Sequence, residues 1–336
     1  MASVEYGILP YFADDFLVYL EAISGKSKNT INEYYYDLLM FFRFIKQKNH
    51  QDLNSTDFQN IQVNDFTVKE LSEIRLSDLY SFLNYINNNR KDKAPTRARK
   101  VACLRSFFKY AWNKANLISE NPAAELESPK ITKKLPRYLE LDESISLLES
   151  IDGDFKERDF CIITLFLNCG MRLSELVGIN LSDIKEDTLT VLGKGSKERT
   201  IYLNDACLDA LTKYLKVRPN CEESNGIQPL FVSKRKKRIS PKTVQYTVKK
   251  YIKLAELDPT KYSTHKLRHT AATLMYTMGE VDIRSLQEIL GHESVATTEI
   301  YTHVNNNRLK DAVSRNPLAG YKSDHKNQAE NENNIK

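Results

Sequence analysis

The stretch NPAAELESPKITKKLPRYL, residues 121–139, carries prolines at 122, 129 and 136. Proline has no backbone N–H to give to a helix or a central strand, and it pushes the residue before it into extended conformations. The stretch therefore reads as an extended linker over 121–138, which divides the chain into a part before it and a part after it. At 336 residues the chain is long enough for a separate core on each side.

The first part, residues 1–120, is rich in helical periodicity. SKNTINEYYYDLLMFFRFIK places Ile31, Tyr35, Leu38, Leu39, Phe42 and Ile45 on one stripe, and SDLYSFLNYI repeats the pattern more briefly. A small four- or five-helix domain is expected, interrupted near residues 49–66 by NHQDLNSTDFQNIQVNDF, which is polar, lacks a period and reads as a loop or insert.

The second part, 139–320, opens with LDESISLLESI, where Asp142 is a candidate helix cap. RDFCIITLFLNCG reads as a buried helix stopped by Gly170, and TLTVLGKGSKERTIYL as a hairpin with Lys194 and Lys197 at or beside its tip. Helices are expected at 241–255, 264–278, 282–290 and 294–304, and residues 321–336 are too polar to fold alone. The fold class is thus mainly α with a small antiparallel β-hairpin in the second domain.

Net charge is only +5, but its distribution carries information. Arg97, Arg99, Lys100, Arg105 and Lys109 alternate with apolar residues along one helix, and SKRKKRISPKTVQYTVKK, with Ser240 as N-cap, Pro241 and Lys242, forms a second basic run. A solvated face is the ordinary fate of a charge run, yet two with few acids favour a polyanion partner. The five scattered cysteines contain no C-x-x-C pair, so they are expected to be reduced core residues. No apolar run reaches the roughly 20 residues that span a bilayer and MASVEYGILP lacks a secretory pattern, so a cytoplasmic protein is expected.

Chemistry-bearing residues concentrate late in the chain, where four of the six histidines fall between 265 and 303. Arg172 follows the glycine-stopped helix, HKLRH supplies His265 and Arg268, and GHESVATTEIYTHV supplies His292 and Tyr301. Guanidinium groups suit a phosphodiester because each donates two parallel hydrogen bonds to the oxygens that gain charge. Two rival motifs fail. GKGSK lacks the G-x-x-x-x-G-K-[ST] spacing of a phosphate loop, and HKLRH lacks the glutamate of H-E-x-x-H and sets Lys266 and Arg268 beside any metal.

In order, GMRLSELVGI, GKGSKER, HKLRHTAATL and LGHESVATTEIYTHV resemble the catalytic domain of the tyrosine recombinases, most closely the Xer-type branch, and the helical first part resembles that family's core-binding domain. The resemblance implies that Arg172 and Arg268 grip the scissile phosphate, and that Lys194 is the general acid for the leaving 5′ oxygen. His265 would exchange a proton with the nucleophile, His292 would hydrogen-bond the phosphate, and Tyr301 would be the nucleophile forming a 3′-phosphotyrosyl intermediate. It implies no metal and no cofactor, a double-stranded DNA site, and a homo- or hetero-tetramer that exchanges strands through a Holliday junction, with or without an accessory protein. The candidate DNA contacts are Arg97, Arg99, Lys100, Arg105, Lys109, Lys197 and Lys242, while His269 and His303 are left to local hydrogen bonding. Residues 307–320 read as a helix docking either on a neighbouring subunit or on its own domain. Chromosome dimer resolution, integration or excision of a mobile element, a type IB topoisomerase-like relaxase and a non-catalytic DNA-binding protein are the functional alternatives.

Free tyrosine has a pKa near 10, so only about one part in a thousand is phenolate at neutral pH, a deficit of roughly 4 kcal/mol. A base and two cations near Tyr301 are expected to relieve most of it.

Overall fold

A computed structural model describes residues 5–50, 52–53, 56–130, 137–193, 198–221, 223, 226–292 and 294–304. The chain divides into two compact units, Met1–Lys133 and Lys134–Lys336.

In the first unit the helices are α1 (Tyr11–Ala22), α2 (Lys28–Asn49), α3 (Val68–Glu73), α4 (Leu76–Asn88) and α5 (Ala94–Asn113). Ser27 caps α2 by accepting the Thr30 N–H, and Thr67 with Glu70 forms a capping box on α3. The stripe read from the sequence, from Ile31 to Ile45, is buried as its spacing requires. The aperiodic insert does more than connect helices: Ile61, Val63 and Phe66 enter the same core, with the Phe66 ring 5.1 Å from that of Phe42. Arg43 Nε donates to the Ile61 carbonyl at 3.1 Å and Lys46 to that of Gln62 at 3.0 Å, so α2 holds the insert by its backbone. Such anchoring leaves no periodicity to read.

The proline-rich stretch also packs. Ala123 and Leu126 are buried in the first core, while Leu139 is buried in the second unit and donates its N–H to Thr270 Oγ1 at 2.8 Å. Proline excludes regular structure but not burial of the residues between, so positions 121–126 of the expected linker pack with the first unit. Residues 131–136 lie outside the described residues.

One expected DNA contact is corrected here. Lys100 on α5 is 4% exposed and its ammonium pairs with Asp37 of α2 at 2.7 Å; Arg99 reaches the same carboxylate at 2.6 Å and Glu33 at 2.9 Å. Asp37 is itself 2% exposed, and burial raises its pKa despite both cations. A buried carboxylate must be paired, so the part of the basic face nearest α2 is turned inward. Arg97 likewise donates to the Asp92 carbonyl at 2.8 Å and to the Asn87 side chain.

The second unit contains α6 (Leu141–Glu149), α7 (Lys156–Cys169), α8 (Leu173–Gly178), β1 (Ile184–Lys185), β2 (Thr188–Leu192), β3 (Glu198–Tyr202), α9 (Asp205–Val217), α10 (Pro241–Leu254), α11 (Thr264–Thr277), α12 (Ile283–Leu290) and α13 (Val295–Thr298), which runs into a 3-10 turn over Glu299–Val304. The cap of α6 is Glu140, not Asp142: the Glu143 carboxylate accepts the Glu140 N–H at 2.8 Å, so the helix begins earlier than the sequence suggested. The expected hairpin forms an antiparallel pair with Leu189 opposite Ile201 and Val191 opposite Arg199, and the short β1, which no pattern announced, extends it to three strands. Ten of the fourteen residues of α7 are buried, so it has no solvent face and serves as the central helix, packed against α9 and α11. All five cysteines are free thiols and buried.

Replacing Lys100 by alanine strands part of the Asp37 charge, and we expect a loss of about 3 kcal/mol of stability in urea unfolding. The double change Asp37→Asn with Lys100→Met should recover most of it. Recovery with unchanged affinity for nonspecific DNA would show that Lys100 serves the fold.

Candidate active site

The site grows from the two ends of α7 and α12. Gly170 ends α7 in the left-handed conformation (φ 57°), where a Cβ would stand 2.7 Å from Leu290 Cδ2, so glycine is favoured there. Its carbonyl accepts from Arg268 Nη1 at 2.5 Å. Met171 is buried, and Arg172 is then the extended N-cap residue of α8. Glu175, at the third helical position, accepts the Arg172 backbone N–H at 2.7 Å, the reciprocal half of a capping box.

That carboxylate also organises the cations. Its oxygens accept from the Arg172 guanidinium at 2.7 Å and from Arg199 Nη2 at 2.9 Å, and Arg268 Nη1 stands 3.9 Å away. The Glu175 side chain is fully buried; burial alone raises its pKa, but the bonds from Arg199 and Arg172 outweigh it and hold the group below the usual carboxylate range.

The C-terminus of α12 completes the frame. Its last carbonyls lack helical partners and carry the negative end of the dipole. Arg199 donates to the Ile289 carbonyl, Arg268 Nη2 to Leu290 at 2.6 Å and Arg172 Nη2 to Gly291 at 2.7 Å. Three guanidinium groups therefore sit on three successive carbonyls. Gly291 is left-handed (φ 61°), and a Cβ there would come within 2.7 Å of Arg199 Cδ. The three differ in access: the Arg172 side chain is 31% exposed, Arg199 12% and Arg268 4%. Burial, then the charge of Arg172, pushes the pKa of Arg268 down to about 10, which leaves it charged at neutral pH.

Beside this frame lie three histidines and the tyrosine. His265 and His269, one turn apart on α11, have ring centroids 4.5 Å apart and nearly perpendicular planes. His269 Nδ1 is 2.7 Å from the Tyr301 hydroxyl, and His292 Nδ1 is 2.9 Å from Thr298 Oγ1. Burial, then neighbouring charges, pushes His269 and His292 each down to about 4, and desolvation followed by Lys266, Arg268 and Arg172 lowers His265. Tyr301 is 1% exposed, and burial pushes it up to about 12 against a smaller opposing effect of Arg268.

Residues 137–308 match the phage integrase family. A tyrosine recombinase XerC of Caldanaerobacter subterraneus subsp. tengcongensis is 56% identical over 319 residues, covering 95% of this chain and 89% of its own length. The chain belongs to the phage integrase family of tyrosine recombinases. Family members are enzymes that break and rejoin DNA strands. A XerC of Thermodesulfovibrio yellowstonii is 34% identical over 92% of this chain and 97% of its own. Among solved structures, the XerH site-specific recombinase in a post-cleavage complex with palindromic difH DNA has the same fold (TM-score 0.66, 22% identity, 90% of this chain and 94% of that one). So has a lambda integrase tetramer bound to a Holliday junction (TM-score 0.61, 20% identity, 84% and 76%).

The recombinase brings together Arg172, Arg268, His265, His292 and Tyr301; Lys194 and Lys197, with residues 307–320 and the 321–336 tail, lie outside the described residues. Three expectations change. His265 makes no described hydrogen bond to Tyr301, whereas His269, left to local bonding, does. The pKa of the phenol is also raised, not lowered, because burial outweighs the cation. And Arg238, part of the second basic run, turns inward to Glu223 at 2.9 Å and to the Val177 and Gly178 carbonyls at 3.1 Å, capping the end of α8. Arg105, Lys109 and Lys242 stay exposed. Glu175 and Arg199 were missed. The only signal for the first was an acid three residues after Arg172 in an apolar run; Arg199 looked like an ordinary hairpin charge.

Two outcomes follow for the tyrosine recombinase. The native state binds fewer protons than the unfolded chain at His269 and His292, so their contribution is complete above about pH 6.5 and is lost as pH falls toward 4. Thermal melts should show the decline in that window, and His292→Gln should flatten it. Gly291→Ala should cost about 1–2 kcal/mol from the left-handed backbone alone and more through displacement of Arg199, read by urea unfolding.

Proposed function

We propose that this chain is an Xer-type site-specific DNA recombinase that exchanges strands between two sites through a Holliday junction, as in the resolution of chromosome dimers. The observation that carries the reading is the fixed pair Arg172 and Arg268, held on α12 and Glu175 in the same unit as a buried tyrosine whose hydroxyl is bonded to a histidine. Guanidinium groups held this way need no reorganisation when the phosphorus oxygens gain charge.

In this reading the Tyr301 oxygen attacks the scissile phosphorus while Arg172 and Arg268 donate to the non-bridging oxygens. His292, kept neutral, donates a further hydrogen bond there. The P–O5′ bond breaks, Lys194 protonates the leaving oxygen, and a histidine of α11 takes the phenolic proton. The 3′-phosphotyrosyl ester retains the energy of the broken bond, so a 5′ hydroxyl from another strand reverses the step without ATP or metal. Exposed Arg105, Lys109 and Lys242 supply phosphate contacts, which fix register, while bases in the grooves are read for sequence. Two protomers act on each duplex and four in the synapse, in the cytoplasm, with or without an accessory protein. Curated XerC relatives matched along nearly their whole length favour chromosome dimer resolution over mobile-element integration. No described helix is long and apolar enough to cross a membrane.

The test is covalent capture of a nicked duplex that carries a site recovered by sequencing DNA bound to the purified protein. Wild type should form a protein–DNA adduct that persists in EDTA, and Tyr301→Phe should form none. Arg172→Ala should slow capture by roughly 100- to 1,000-fold while mobility-shift binding stays within a few-fold. Adducts formed by Tyr301→Phe would overturn the assignment.

A further inference from the structure

We propose that His269, rather than His265, takes the proton from Tyr301 as the tyrosine oxygen bonds to phosphorus. Tyr301 is 1% exposed, and among the described residues its oxygen has one hydrogen-bond partner, His269 Nδ1 at 2.7 Å. A buried O–H must find an acceptor. The phenol therefore donates and Nδ1 accepts, which makes His269 the tautomer with its proton on Nε2.

Only a neutral ring offers that lone pair. Among the described residues, the groups whose charge acts on His269 are His265, Lys266 and Arg268 on its own helix and His292 from beyond α12, and Tyr301 bonds it directly. Burial first, and then these neighbours, keep the imidazole neutral, with a pKa near 4. His265, by contrast, is exposed and makes no described hydrogen bond to the hydroxyl, and its ring meets that of His269 edge to face. It faces the ring of His269, not the hydroxyl.

The step balances without a co-reactant. The Tyr301 O–H bond breaks as O–P forms; the proton moves to Nδ1 and makes an imidazolium; the electron pair of P–O5′ leaves with O5′, which is protonated by the acid assigned to Lys194. The bound phosphate monoanion adds negative charge beside the ring, and favours the imidazolium when it is needed. Religation returns the proton along the same line.

The inference rests on the reading of Tyr301 as the nucleophile. It is tested by single-turnover cleavage with the full chain on a nicked duplex selected by wild-type covalent capture from a random-sequence pool. The duplex is made with either the natural O5′ or a bridging 5′ sulfur, which leaves without an acid. Asparagine at 269 can still hydrogen-bond the phenol but cannot accept its proton. His269→Asn should slow adduct formation about 100-fold or more with either leaving group. Its rate should climb about tenfold per pH unit above neutrality where wild type is level, because hydroxide must then remove the proton. Added imidazole should restore part of the rate. Mobility-shift binding of the same duplex reports folding, and His269→Gln repeats every measurement with a longer amide.

Rates within about threefold of wild type in both amide variants would overturn the proposal. So would rescue by the sulfur leaving group, or the pH and imidazole signature appearing in His265→Asn instead. If Tyr301→Phe still forms adducts, the nucleophile reading fails. If it forms none while the amide variants cleave normally, only the role of His269 fails.

Discussion

A buried carboxylate surrounded by guanidinium groups is the interaction on which the second unit's chemistry depends. Three like charges repel, and the repulsion is strong in a partly desolvated site. Glu175 offsets one of them, and the C-terminus of α12 adds roughly half an elementary charge through its dipole. A positive surplus remains, which suits a phosphodiester monoanion. Each guanidinium is also fixed by backbone carbonyls, so its direction is set before any substrate arrives.

The same frame explains the glycines that bound it. Gly170 and Gly291 end their helices in the left-handed region, and each stands where a Cβ would strike a neighbour at 2.7 Å. The tight approach brings the α12 carbonyls to the arginines. Neutral histidines and a protonated phenol then leave the positive charge of the described site to its arginines and to Lys266.

Much of this was legible in the chain. The stripe of α2, the glycine stops of α7 and α12, the Ser240–Pro241 start of α10 and the β2–β3 hairpin all follow local rules that a sequence displays directly. All six expected site residues were named by motif order and spacing, and the five among the described residues lie in one region. What escaped was partnership. Lys100 and Arg105 lie on one helix and read alike, yet one faces Asp37 across 63 residues of sequence and the other faces solvent. Arg238 sat in a basic run and proved to cap α8. Ile61, Val63 and Phe66 reached the core from a segment with no period at all.

The sequence by itself determined the helical character, the two-part organisation and the family to which the chain belongs, because periodicity, prolines and motif order are local properties. Only the tertiary structure decided which histidine touches the tyrosine and which acid gathers the arginines. His265 and His269 are one turn apart and chemically identical. The packing of the Glu299–Val304 turn against α11 gives one of them the hydroxyl, and hydrogen bonds act over 3 Å whatever the separation along the chain.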